Sequence, residues 1–155
     1  MMTMDGEKVA GLTEESRGYP DLYVQFLYYF NILRDYYECH EVLEELWLEE
    51  GRDPLWQGLL QIAVGLYHFR NENINGARKL LRVALNKLEP YPARCAGIHL
   101  GRLKQDAREL LIRLEGFEEA PVRYQDLNII VLEPELRQRV EALKQEKEGR
   151  DDAGR

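Results

Sequence analysis

The sequence predicts an all-α fold, a compact bundle of five to six helices built on two antiparallel, tetratricopeptide-like helical hairpins. Three observations carry that expectation. Apolar residues recur at three- and four-residue spacing through most of the chain. Turn signals such as "GRDP" and "NENING" interrupt the pattern at helix-length intervals. Finally, positions offset by 38 are small or apolar in both copies: Leu27 with Gly65, Cys39 with Ala77, Leu43 with Leu81 and Leu46 with Ala84. Small residues at such positions let paired helices approach closely. At 155 residues, 45% hydrophobic and 32% charged, the chain has the profile of one self-sufficient domain.

Residues 1–18 are polar and aperiodic and read as a flexible leader to a helical domain over 19–148, with 149–155 a frayed tail. Pro20 opens a first helix, "DLYVQFLYYFNIL", with Leu22, Phe26, Tyr29, Phe30 and Leu33 at helical spacing. A second runs from about Asp35 to Glu50 and stops at Gly51. The third, Pro54 to Arg70, is apolar almost all the way round, which marks a central helix. Asn75 reads as the N-cap of the fourth, "GARKLLRVALNKLE", which Pro90 and Pro92 end. A fifth spans Cys95 to Glu115 on Leu100, Leu103, Ala107, Leu110 and Leu114. "APVRYQDLNIIVL" reads as an extended crossing segment; "NIIVL" has strand character, but no partner is evident and a lone strand is unstable. Pro134 opens a last helix to about Glu148 on Leu136, Val140 and Leu143.

A net charge of −7 argues against a general phosphate-binding surface. Cys39 and Cys95 lack C-x-x-C spacing, so they predict neither a zinc site nor a redox motif. The N-terminus has no signal-peptide pattern, and no run of apolar residues is long enough to cross a membrane. The expected location is the cytoplasm.

The second helix carries its polar residues in an ordered way. Tyr36, Cys39, Leu43, Leu46 and Trp47 form its apolar arc, and His40 and Glu44 sit one turn apart at the border of that arc. On the third helix Gln57, Gln61 and His68 share a narrow stripe flanked by Gly58 and Gly65, where another backbone can approach. A buried amide left unpaired costs about 1–3 kcal/mol, so the stripe must find partners. The expectation is one inter-helix polar cluster of His40, Glu41, Glu44, Gln57, Gln61 and His68.

That cluster has two readings. One is a hydrogen-bond network that fixes helix register, with no cofactor. The other is a divalent-metal site with His40, Glu44 and His68 as ligands and Glu41 as general base. The segment is H-E-V-L-E rather than H-E-x-x-H, and the paired Glu-x-x-His motifs of a di-iron bundle are missing. No nucleophile elbow or phosphate-binding glycine loop occurs. Cys95 and His99, four residues apart, lack a third orienting group. Arg78, Lys79 and Arg82 line one face of the fourth helix, and Arg102, Lys104, Arg108 and Arg113 dot the fifth. No aromatic residues interleave with them, as binding of single-stranded RNA would require.

"FNILRDYYECHEVLEELW" followed by "QGLLQIAVGLYHFRNENINGARKLL" resembles the helical family known as domain of unknown function 309. The resemblance rests on Phe30, Asn31, Tyr36, Tyr37, Glu38, His40, Glu41, Leu43, Glu44, Trp47, Gln57, Gly58, Gln61, Ala63, Tyr67, His68, Gly76 and Ala77, and covers about 24–90. Cys39 stands where a small residue usually precedes the motif histidine. The resemblance implies an all-helical fold and no particular activity.

The favoured reading is a non-catalytic cytoplasmic scaffold or protein-interaction module, self-associating or bound to a protein partner through exposed Tyr23 and Tyr28. One alternative is a metal-dependent hydrolase using the polar cluster. Another is a regulator that binds an acidic or nucleic-acid partner through Arg78 and Arg82.

Overall fold

In the computed structural model, residues 18–153 are described, and most of the expected leader lies outside them. Among these residues six α-helices form: α1 (Asp21–Tyr28), α2 (Tyr36–Glu49), α3 (Pro54–Arg70), α4 (Ile74–Leu88), α5 (Leu100–Glu115) and α6 (Pro134–Ala153). The fold is all-α, as the periodicity predicts, and α6 runs past the expected end near Glu148. Polar side chains start the helices by accepting a backbone N–H: Asp35 from Glu38, Asp53 from Leu55 and Asn73 from Gly76. The cap of α4 is therefore Asn73, not Asn75, which lies inside the first turn and bonds Arg78 instead.

α3 is the central helix, with α2 against one side and α4 against the other. Its glycines set the closeness of α4: a Cβ on Gly58 would lie 2.5 Å from Leu88 Cδ2, and one on Gly65 would lie 3.2 Å from Leu81 Cδ2. All eight positions related by the 38-residue offset are buried.

The chain between α4 and α5 departs from expectation. Arg94–Cys95 (β1) and Ile98–His99 (β2) pair antiparallel, with Arg94 opposite His99 and Cys95 opposite Ile98. Ala96 and Gly97, at φ 52° and 78°, make the tight turn. Two successive left-handed residues cannot continue a right-handed helix, so α5 begins at Leu100 rather than Cys95. This hairpin supplies the partner that "NIIVL" lacked on paper. Val131 bridges Ile98, the His99 N–H donates to the Ile130 carbonyl (2.8 Å), and the Leu132 N–H donates to the Gly97 carbonyl (2.8 Å).

The aromatics of α1 are inside. Tyr23 is fully buried, its ring 5.0 Å from that of Trp56 and its hydroxyl donating to the Ala96 carbonyl (2.8 Å). Tyr28 is also buried. A partner surface made of these two residues is thus ruled out: the hairpin engages Tyr23, and α6 packs across α1.

Lys104 is not a solvated charge either. Its ammonium donates to the carbonyls of Tyr91 (2.8 Å) and Leu88 (3.2 Å), closing the C-terminal end of α4. Charge-assisted bonds of this kind are among the stronger ones, so Lys104→Met is expected to lower stability by about 1–2 kcal/mol in urea unfolding.

Candidate functional site

The expected polar cluster divides. His40, half-exposed on α2, has its polar partners among the described residues on its own helix: Nδ1 lies 3.4 Å from Glu41 Oε2 and Nε2 lies 3.9 Å from Glu44 Oε1. The α3 stripe turns toward α4, because its flanking glycines admit that helix. Gln57 Oε1 accepts from Lys87 Nζ (2.7 Å), and His68 Nδ1 lies 3.2 Å from Asn73 Nδ2 at the α3–α4 turn. Gln61 Oε1 is buried without a hydrogen-bond partner. No hydrogen bond among the described residues joins the α2 set to the α3 set. Nor does any group of three or more His, Cys, Asp or Glu side chains among them form a metal-holding arrangement.

The other candidates have structural roles. Arg78 donates to both carboxylate oxygens of Glu118 (3.2 and 3.0 Å) and to the Leu114 carbonyl, while Arg82 meets Glu115 at 3.2 Å. Arg78 and Arg82, expected to attract an acidic partner, are therefore charge-compensated by Glu115 at the end of α5 and Glu118 just beyond it. Burial pushes the Cys95 thiol up to about 11, and His99 Nδ1 caps α5 by accepting from the Arg102 N–H. Burial raises the Cys39 thiol as well. Neither cysteine is an activated thiolate.

The residues that do converge lie at the corner between α1 and α2. After Tyr28 the helix widens into a π turn, Tyr29–Leu33, and Arg34 then takes the left-handed conformation at φ 57°. A non-glycine residue there stores about 1–2 kcal/mol of strain, and such irregular backbone concentrates at working sites. The corner aims Asn31 at the extended segment. Asn31 Nδ2 donates to the Ile129 carbonyl (2.8 Å) and Asn31 Oδ1 accepts from the Ile129 N–H (2.9 Å). A side-chain amide has the donor and acceptor of a peptide group, so Asn31 stands in for a neighbouring strand. The opposite edge of the same segment is paired with the hairpin, Ile130 with His99 of β2 and Leu132 with Gly97 of the turn.

Charged and aromatic groups fix the start of the segment. The hydroxyls of Tyr36 and Tyr124 both donate to Asp126 Oδ1 at 2.6 Å. Arg34 donates to the Leu127 carbonyl and to Asn128 Oδ1, with its Nε 3.9 Å from Asp126 Oδ2. Arg70 lies over the Tyr36 ring at 4.7 Å and donates to the Arg34 carbonyl (2.7 Å), bracing the strained residue. Phe69 and Tyr124 rings meet at 4.9 Å. From there the side chains alternate: Leu127 and Ile129 are buried, while Asp126, Asn128 and Ile130 face out.

These contacts set two titrations. Burial, then the hydrogen bond to Asp126, pushes the Tyr36 phenol from 10.0 up to about 12. Burial alone would raise the Asp126 carboxyl, but the hydroxyls of Tyr124 and Tyr36 and the charges of Arg34 and Arg70 outweigh it, leaving it below the usual carboxylate range. For Tyr36 the folded value is the higher one, so its contribution is complete below pH 10.0 and disappears as pH rises toward about 12. For Asp126 the folded value is the lower one, so its contribution holds above the ordinary carboxylate range and disappears as pH falls through it. Urea midpoints measured against pH are expected to fall on both flanks, and Tyr36→Phe is expected to flatten the alkaline one.

Residues 23–80 match the family described as Domain of unknown function (DUF309). The chain is also similar to "Uncharacterized protein YpuF" of Bacillus subtilis (strain 168), 37% identical over 102 residues, covering 63% of this chain and 59% of that one. A second relative, "Uncharacterized protein" of Aquifex aeolicus (strain VF5), is 30% identical over 80 residues, 50% of this chain and 24% of its own. The chain thus spans about three-fifths of the first relative and a quarter of the second. No solved structure matches it. Asn31, Arg34, Tyr36 and Arg70 lie within the matched segment, whereas Tyr124, Asp126 and Ile129 lie outside it.

Sequence reasoning singled out Asn31 as a motif position without a role, placed Tyr36 in the apolar arc of the second helix, and missed Arg34, Tyr124 and Asp126 as members of a site. The available signal was Asp126 itself, one acid heading a run whose alternate residues are apolar.

Proposed function

We propose that the chain is a non-catalytic, cytoplasmic protein-interaction module whose working part is the α1–α2 corner of its DUF309 segment. The corner grips extended polypeptide by its backbone. The reciprocal pair between the Asn31 amide and the Ile129 peptide groups carries this reading, because it is recognition of main chain rather than of a reactive group. Arg34 adds a donor to a second backbone carbonyl, and Tyr36 adds one to a carboxylate. Two unpaired cysteines suit a reducing compartment, and no described helix is long and apolar enough to cross a membrane.

Limited trypsin digestion tests the grip. Arg123, exposed just before the segment, is expected to be cut at least tenfold faster in Asn31→Leu than in the parent chain, with the helical circular dichroism unchanged. Unchanged cleavage at Arg123 in a folded Asn31→Leu would count against the reading.

A further inference from the structure

Resting on that reading, we infer that the corner is a peptide-recognition slot for another protein, and that residues 126–131 are the chain's own placeholder in it. The ligand class is an extended segment with an aspartate followed by aliphatic residues at the first, third and fifth positions after it. Each part of that description corresponds to a contact. The aspartate meets two hydroxyls, those of Tyr36 and Tyr124, in a field made positive by Arg34 and Arg70. Leu127 and Ile129 enter the core, and Val131 packs partly buried against it. The third position, Ile129, is read through its backbone by Asn31.

Three features make the placeholder exchangeable. Among the described residues, Arg34, Asn31, Tyr36 and, at its far end, Arg137 of α6 hold its near edge to the helical body, and all do so by side-chain hydrogen bonds rather than by a continuous ladder. The chain leading into it from α5 is exposed at 118–121, 123 and 125, so departure of the segment uncovers little of that stretch beyond Val122 and Tyr124, which pack against the core. The receiving corner is preformed by elements that do not need the segment for their own hydrogen bonds: Asp35 caps α2, and Arg70 braces Arg34. Charge complementarity selects the occupant, since a chain with a net charge of −7 keeps two guanidinium groups beside this one slot.

The probe is a fluorescein-labelled peptide of residues 122–132, titrated into the full chain and followed by anisotropy. Asp126→Ala weakens the placeholder and leaves the helical wall of the slot intact, so this variant is expected to bind the peptide at least tenfold more tightly than the parent. Asn31→Leu added to Asp126→Ala is expected to lose at least tenfold, and so is the peptide whose aspartate is replaced by asparagine. Equal binding by parent and Asp126→Ala, with both folded by circular dichroism, would overturn the inference while leaving the trypsin result for the grip itself standing. If Asp126→Ala fails to fold, the parent chain serves: excess unlabelled peptide is expected to speed amide exchange of Ile129, and no acceleration would overturn the inference. A concentration-dependent dimer in sedimentation that vanishes in Asp126→Ala would also overturn it, in favour of segment exchange between copies.

Discussion

Asn31→Leu is expected to destabilise the protein by about 3 kcal/mol and to loosen residues 126–132 while α2, α3 and α4 stay folded. Leucine keeps the number and branching of asparagine's side-chain heavy atoms, so the main loss is of hydrogen bonds. It removes two hydrogen bonds and strands the N–H and carbonyl of a residue that is 3% exposed. Net bonds contribute about 0.5–1.5 kcal/mol each, and a buried partner left unsatisfied adds about 1–3 kcal/mol. Loss of Asn31 weakens only one of two edges, because the hairpin still holds Ile130 through His99 and Leu132 through Gly97. The far end of the segment is therefore loosened rather than fully freed.

Gly58→Val is expected to cost about 3 kcal/mol, while Gly65→Ala is expected to be near neutral. At Gly58 even a single Cβ would lie 2.5 Å from Leu88 Cδ2 and 2.7 Å from Leu88 Cγ, and Leu88 is fully buried, so any shift of it disturbs close-packed neighbours. Valine adds two methyl groups to that conflict and must push α4 away from α3. At Gly65 the nearest atoms stand at 3.2 and 3.3 Å, so a small shift suffices. The helix-propensity gain of about 1 kcal/mol for alanine over glycine offsets it. Chemical denaturation of the two variants side by side separates close packing at one glycine from tolerance at the other.

The parts of the fold that were legible in the sequence are those where pattern and punctuation agree. Gly51 and Pro54 bracket the turn between α2 and α3, and the all-round apolar α3 is central. Elsewhere local signals misled. The stripe assigned to the first helix included Leu33, which is 50% exposed, and left Tyr23 outside, which is 0% exposed. The π turn at Tyr29–Leu33 adds a residue to the helical repeat and rotates the side chains beyond it, and no spacing rule for an α-helix contains that shift. Cys95 and His99 have helical spacing, yet Ala96 and Gly97 turn the chain back between them.

The site was less legible than the fold for a related reason. The histidine and glutamates of "CHEVLEELW" look like chemistry because of residue type, but the structure pairs them within one helix. Asn31 looks ordinary because its role needs a partner 98 residues away. A single sequence carries no mark of a contact between a side chain and a distant backbone, since any residue presents the same peptide groups.

If a side-chain amide at the α1–α2 corner holds extended main chain, the Ile129 N–H must owe its protection to Asn31, the group to which it donates. Amide hydrogen exchange of Ile129, resolved by NMR in the parent and in Asn31→Leu, reads that dependence at the bond itself. The Ile129 amide is expected to be protected in the parent and to exchange at least a hundredfold faster in the variant, with the α3 amides unchanged. Equal protection of Ile129 in both proteins would contradict the grip.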